Sequence, residues 1–264
     1  MKSIFSIAFL FIASMSIAQM DDKFYFPIKE WKSIDSVNFE EINFKLKEVT
    51  INSILLKPLS QPKATILYFH GAGGNVSYYV ELVKPLVEDG FQVLMVDSRG
   101  YGKSTGTPTH LGIAKDAQLV FDILQKDKRF KKSKIIIYGA SMGTQVAANL
   151  ASKNNTEIVG LVLDGCIASF TEIAKTSAPV EQHAMIEKFI VSPYSPLEDV
   201  KNLGNCPLLM IHSKEDAEVP YSHFEMVFGN VETTKKEWIY VGGHLEAPLI
   251  FKDDFLERIN QFLN

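Results

Sequence analysis

Cysteine is scarce, with two residues in 264, which excludes a disulfide-built scaffold. Basic charge is not in surplus. Against 31 acidic residues stand 27 basic ones, for a net charge of −4, without the positive field that a nucleic-acid partner requires. No Gly-, Pro- or Ser-rich linker and no internal repeat divides the chain, so residues 19–264 read as a single domain. Neither G-x-x-x-x-G-K-[ST] nor G-x-G-x-x-G occurs, and no His/Cys cluster has metal-ligand spacing; no cofactor and no metal are expected. Long apolar runs are missing too, except at the start. There Lys2 precedes an apolar stretch from Ile4, and Ser16 and Ala18 offer a small-x-small cleavage site before Gln19. A stretch of about 15 residues is short of the roughly 20 that span a bilayer. Residues 1–18 are therefore expected to be a cleaved export signal, placing the protein in the periplasm or outside the cell without integral membrane association.

What is present is a series of short apolar strands alternating with amphipathic helices. Two early strands are expected over 37–44 and 48–57. ATILYF (64–69), FQVLMV (91–96), KIIIY (134–138), IVGLVL (158–163), CPLLMI (206–211) and EWIYV (237–241) follow, with helices over 78–88, 111–125, 142–153, 221–228 and 249–262 between and after them. Continuous apolar runs of this length predict a mostly parallel sheet covered by helices on both faces. Ligands of such sheets bind beyond the carboxyl ends of the strands, so the residues that follow each strand carry the chemistry.

After KIIIY comes Gly139-Ala140-Ser141-Met142-Gly143. A serine on a tight strand-to-helix turn exposes its hydroxyl, and flanking glycines permit the close packing that such a turn needs. Ser141 is the expected nucleophile. The N–H of Met142, at the start of the next helix, is one expected oxyanion donor. The turn His70-Gly71-Ala72-Gly73-Gly74 after ATILYF supplies the second, the N–H of Ala72, with His70 supporting the turn. Among six histidines, His244 follows the last strand on a Gly242-Gly243 hinge and is the expected general base. The acid that orients it is expected at Asp216, in the loop after CPLLMI. Asp164 after IVGLVL is the rival, and Asp97 is expected to hold its own loop.

Five blocks, HGAGGN (70–75), DSRGYGKSTG (97–106), GASMG (139–143), HSKEDAEVP (212–220) and GGH (242–244), stand in an order that resembles the α/β-hydrolase superfamily. Within it they resemble the serine-hydrolase branch of monoglyceride-lipase-like, lysophospholipase-like and aminopeptidase-like enzymes. The resemblance implies an eight-stranded α/β-hydrolase fold with Ser141, Asp216 and His244 as triad and Ala72 and Met142 as oxyanion hole. It further implies a small-molecule acyl substrate, and a short lid over about 167–200 with two short helices at most. Phe170, Ile173, Phe189, Ile190 and Tyr194 are expected to line the lid or to pack it onto the body. Thr144 and Ser213 depart from the glycines common at those places. An aminopeptidase reading on the same triad would need an acidic anchor for the substrate amine, for which Glu172 and Glu181 are candidates. A silent binding protein on the same fold is the third reading. Cys166 and Cys206 are expected at opposite ends of their strands, as two buried free thiols.

Overall fold

A computed structural model describes residues 20–264; the expected export signal and its cleavage site lie outside the described residues. Five strands open the chain: β1 (Phe26–Pro27), β2 (Phe39–Lys45), β3 (Thr50–Leu56), β4 (Thr65–Phe69) and β5 (Gly73–Gly74). Helices and strands then alternate through α1 (Val80–Glu88), β6 (Gln92–Val96), α2 (His110–Lys126), β7 (Ile135–Ala140), α3 (Gly143–Lys153) and β8 (Gly160–Asp164). An insertion carries α4 (Phe170–Thr176), α5 (His183–Phe189) and α6 (Pro196–Asp199). The chain closes with β9 (Leu208–Ser213), α7 (Tyr221–Gly229), β10 (Lys235–Tyr240), α8 (Ala247–Ile250) and α9 (Lys252–Asn260).

Eight strands form one sheet in the order β2-β3-β6-β4-β7-β8-β9-β10. The β2–β3 and β3–β6 pairings are antiparallel and the other five are parallel. Every residue of β4, β6, β7 and β8 is buried, which is why these strands are continuous apolar runs rather than alternating, with polar residues only at their ends (Thr65, Gln92 and Asp164). Successive side chains point to opposite faces. Leu67 and Phe69 of β4 join Ile137 of β7 in a core with α2, α3 and α7, while Ile66 and Tyr68 join Ile136 and Tyr138 in a core with α1, α8 and α9. Each fully buried aliphatic or aromatic side chain in these layers contributes roughly 1.5–3 kcal/mol.

Three features differ from the sequence expectation. The insertion holds three α-helices and a 3-10 turn at Val180–Gln182, not two helices at most; each is short enough that its ends, not its periodicity, dominate its sequence. The final helix is interrupted at Phe251 (φ −127°, ψ 50°), because α8 packs on α1 before the chain turns into α9. The two-residue ribbon of β1 with β5 was unexpected; its side chains are exposed and it is joined through backbone alone. Cys166 lies just past β8 and Cys206 just before β9, both as buried free thiols.

Candidate active site

The carboxyl ends of β4, β7, β9 and β10 bring the candidate residues to one side of the molecule. Ser141 occupies the turn from β7 to α3 with φ of +52°, the left-handed region that a non-glycine residue enters only under constraint. Its N–H donates to the Asp164 carbonyl on the neighbouring strand (2.8 Å), and its carbonyl accepts from Thr144 N–H (2.9 Å) and Thr144 Oγ1 (2.6 Å). The turn is possible because α3 starts against the end of β4. A Cβ on Gly143 would stand 2.1 Å from the Phe69 carbonyl oxygen.

Asp216 and His244 meet across the loops that follow β9 and β10. Asp216 Oδ2 lies 2.6 Å from His244 Nδ1, and Asp216 Oδ1 accepts the N–H groups of Glu218 (2.9 Å) and Val219 (2.8 Å). Burial raises the cost of the Asp216 charge, but the His244 hydrogen bond and the two backbone donors outweigh it and hold the carboxyl below its ordinary pKa of 3.8. Burial likewise works against the His244 cation. The bond to Asp216 and the charges of Asp216, Glu218 and Asp164 prevail, and its pKa lies above 6.5. With Nδ1 engaged by the carboxylate, Nε2 is the free nitrogen; it is buried and has no hydrogen-bond partner among the described residues. Gly165, with φ of +59°, seats the ring: a Cβ there would fall 2.6 Å from His244 Cε1. No hydrogen bond joins Ser141 Oγ to the ring among the described residues.

Asp164 occupies a different place. Its Oδ2 accepts from Tyr138 (2.7 Å), burial raises its pKa to about 6, and it forms no ion pair with a histidine. His70 donates through Nδ1–H to the Gly71 carbonyl of its own turn (2.7 Å), and its Nε2 accepts from the N–H of Ser98 in the 97–102 turn (3.3 Å). Asp97 Oδ1 accepts from Val76 N–H (2.8 Å), tying the 97–102 turn to the end of the 70–76 turn.

Ala72, Ser141 and Met142 line one open cavity of about 360 Å³, walled by Phe24, Ile173, Ile190 and Val219 and rimmed by the exposed Lys23 and Glu218. Among the described residues neither Ala72 N–H nor Met142 N–H donates to another group. Thus Ile173 and Ile190 line the cavity, Phe170 and Tyr194 are buried against the body, and Phe189 is exposed. Glu172 is paired with Lys175 (2.7 Å), and neither it nor Glu181 lines the cavity. The two departures from glycine have hydrogen-bonding tasks: Thr144 Oγ1 also accepts from Ile167 N–H where the insertion begins, and Ser213 Oγ donates to the Gly242 carbonyl, joining the Asp216 and His244 loops. Sequence reasoning missed the wall formed by Lys23, Phe24 and Phe26, since nothing local marks a segment that meets the 70–76 turn from nearly fifty residues away. Among the described residues no cluster of His, Cys, Asp or Glu is placed to hold a metal ion, and no helix is long and apolar enough to cross a membrane.

Residues 60–194 match the family model described as serine aminopeptidase, S33. Protein bem46 of Schizosaccharomyces pombe is 28% identical over 232 residues, covering 86% of this chain and 77% of that protein. The lysophosphatidylserine lipase ABHD12 of Macaca fascicularis is 33% identical over 178 residues, 62% of this chain and 44% of that one. Among solved structures, the Pyrococcus furiosus esterase Pf2001 superposes with a TM-score of 0.72 at 19% identity, covering 90% of this chain and 98% of that one. An alpha-beta hydrolase from Vibrio vulnificus superposes at 0.70 with 23% identity, covering 85% and 81%. The chain therefore belongs to the α/β-hydrolase serine hydrolases, within the family described as serine aminopeptidase, S33.

Proposed function

We propose that this hydrolase is an exported, single-domain enzyme that cleaves a carboxylic ester or related acyl compound through an acyl-enzyme. Ser141 is the nucleophile, His244 the general base and Asp216 the acid that orients it. The observation that carries the reading is the His244 ring: bonded to Asp216 through Nδ1, it keeps a buried, unpartnered Nε2, the nitrogen that must take a proton. That proton comes from Ser141 Oγ as the oxygen attacks the carbonyl carbon. The resulting oxyanion is met by the unengaged N–H groups of Ala72 and Met142. His244 returns the proton to the leaving alkoxide as the ester C–O bond breaks. Water then attacks the acyl carbon by the same path, releasing the acid and regenerating Ser141. Asp216 remains ionised throughout and stabilises the imidazolium that forms twice per turnover.

Ser141→Ala and His244→Ala are each expected to lower turnover of p-nitrophenyl acetate by roughly 10⁴-fold or more. Turnover retained in either purified variant sinks the scheme. A fluorophosphonate probe should label the wild type at Ser141; a silent binding protein would stay unlabelled. Amide cleavage is the second reading, favoured by the family description. Against it, the cavity has a single acidic side chain, Glu218, at its exposed rim, so aminoacyl anilides are expected to turn over more slowly than esters of equal size.

A further inference from the structure

Four consecutive carbonyls of the turn after β4 are held by other groups. Gly71 C=O lies 2.7 Å from His70 Nδ1. Ala72 C=O accepts from the Tyr101 hydroxyl (2.6 Å) and from Phe26 N–H (2.9 Å). Gly73 C=O accepts from the Tyr79 hydroxyl (3.0 Å), and Gly74 C=O from Ile28 N–H (3.0 Å). The Ala72 carbonyl is the junction of three remote segments, because the Tyr101 hydroxyl that donates to it also accepts from Phe26 N–H (3.1 Å). Tyr101 is fully buried, and burial raises its pKa, so the hydroxyl stays a donor.

The N-terminal segment is pinned at its other end as well. Asp21 accepts from His110 N–H (2.9 Å), Tyr25 OH meets His110 Nδ1 (2.7 Å), and Phe24 packs edge-on against Phe170 at the start of α4, with ring centroids 5.4 Å apart. Backbone geometry gives these contacts their meaning. The Ala72 N–H lies in the peptide plane of the Gly71 carbonyl and points the opposite way. His70 sets that plane, while Tyr101 and Phe26 set the next one. With both planes held, the two torsions of Ala72 are determined and its N–H has one direction.

We infer that Tyr101 and strand β1 form a clamp that aims the Ala72 N–H, which makes Tyr101 a positioning residue for a reaction whose atoms it does not touch. This rests on the reading of Ala72 N–H as an oxyanion donor. The DSRGYG turn thereby gains a task beyond holding its own loop, and the segment from Asp21 to Pro27 becomes part of the working site. A displacement of about 1 Å in a reacting or stabilising group can cost on the order of 10²-fold in rate, and a lost oxyanion donor about 10²–10³-fold. A donor that is loosened rather than lost should cost less.

The test uses the full chain, a p-nitrophenyl ester and an alkyl boronic acid, whose tetrahedral serine adduct needs the same donors as the oxyanion. Tyr101→Phe is expected to lower kcat by roughly 10- to 30-fold, leave KM within about twofold, and weaken boronate inhibition by the same factor as kcat. A role confined to folding would lower the melting temperature or raise KM without that parallel loss. Phe26→Ala and Phe26→Pro form a second pair. Both remove the ring from the cavity wall, so a loss common to both belongs to the ring. Only proline also removes the N–H donor, so proline should lower kcat and boronate affinity in parallel by about a further 3- to 10-fold below the alanine variant; equal values in the two overturn the β1 arm of the clamp if Tyr101→Phe does not fold. Unchanged kcat and boronate affinity in Tyr101→Phe, with the wild type still labelled by a fluorophosphonate, overturns the clamp alone. A wild type that is neither labelled nor inhibited overturns the reading of the site beneath it.

Discussion

The turn that carries Ser141 and the insertion that faces it are built in opposite ways. Every residue of β7 is buried, as are Gly143 to Ala151 of α3, and the backbone at Ser141 is held in a conformation it would not adopt alone. In the insertion, α5 has no buried residue at all. It hangs from a few anchors: Phe170 stacked on His110 (ring centroids 3.5 Å apart), Tyr194 donating to the His110 carbonyl (3.0 Å), and Thr176 bonded to His223 (3.0 Å). One region holds a strained turn among buried neighbours; the other lends apolar surface to the cavity and leaves much of itself in solvent. Changes in the first should act on kcat and on folding. Changes in the second should act on which substrates are accepted.

The sharpest test is on the rigid side. Asp216→Asn keeps the shape of the loop but removes the charge, and with it the preference for the tautomer that leaves Nε2 free. Turnover is expected to fall by roughly 10³–10⁴-fold. The pH profile carries a second signature. The base must be neutral, and Asp216 lifts the His244 pKa above 6.5, so the acid limb of kcat/KM in the wild type should lie above that value. In Asp216→Asn burial remains without the compensating charge, and the limb should move to lower pH. A limb that stays in place would assign it to another group. Next in size is Gly143→Ala, where the added methyl meets backbone that cannot yield. A loss of roughly 3 kcal/mol is expected by urea denaturation. A variant as stable as the wild type would show that the turn has slack.

The same contrast explains what could be read from the sequence. Strands buried on both faces are apolar along nearly their whole length, so β4, β6, β7 and β8 stand out as runs with polar residues only at their ends. Gly139, Gly143 and the Gly242-Gly243 pair mark the turns before and after the chemistry. Asp216, the proposed acid, follows a strand as Asp164 does; that Asp216 meets His244 while Asp164 accepts from Tyr138 is a distinction that only spatial neighbours reveal. The bridge from Tyr101 to Ala72 and Phe26 spans 29 and 75 residues and is made largely to backbone, so no side-chain pattern announces it. The insertion was the least legible part. Its helices are seven residues or fewer, too short for a hydrophobic period to repeat, and their apolar residues divide between cavity wall, body contact and solvent.

That division can be tested with substitutions of smaller effect. Ile190 reaches the cavity beside Ser141 and is nearly buried. Ile190→Trp should therefore fill acyl space, raising KM for long p-nitrophenyl esters by roughly 10-fold, the size of effect that one filled or emptied apolar subsite produces, while kcat on the acetyl ester stays near the wild-type value. Equal losses on every chain length would mean that the insertion positions the reacting groups after all.

Phe189 and Met185, 50% and 63% exposed on α5 along an open groove shared with Met20 and Lys23, should matter least. Replacing either by serine removes apolar surface that water already touches, so folding stability is expected to move by no more than about 0.5 kcal/mol, with acetyl-ester turnover unchanged. A loss above about 1 kcal/mol would require the groove between α5 and residues 20–23 to be closed in solution. The insertion would then be packed as firmly as the turn it faces, and substrate choice would have to reside in the cavity floor instead.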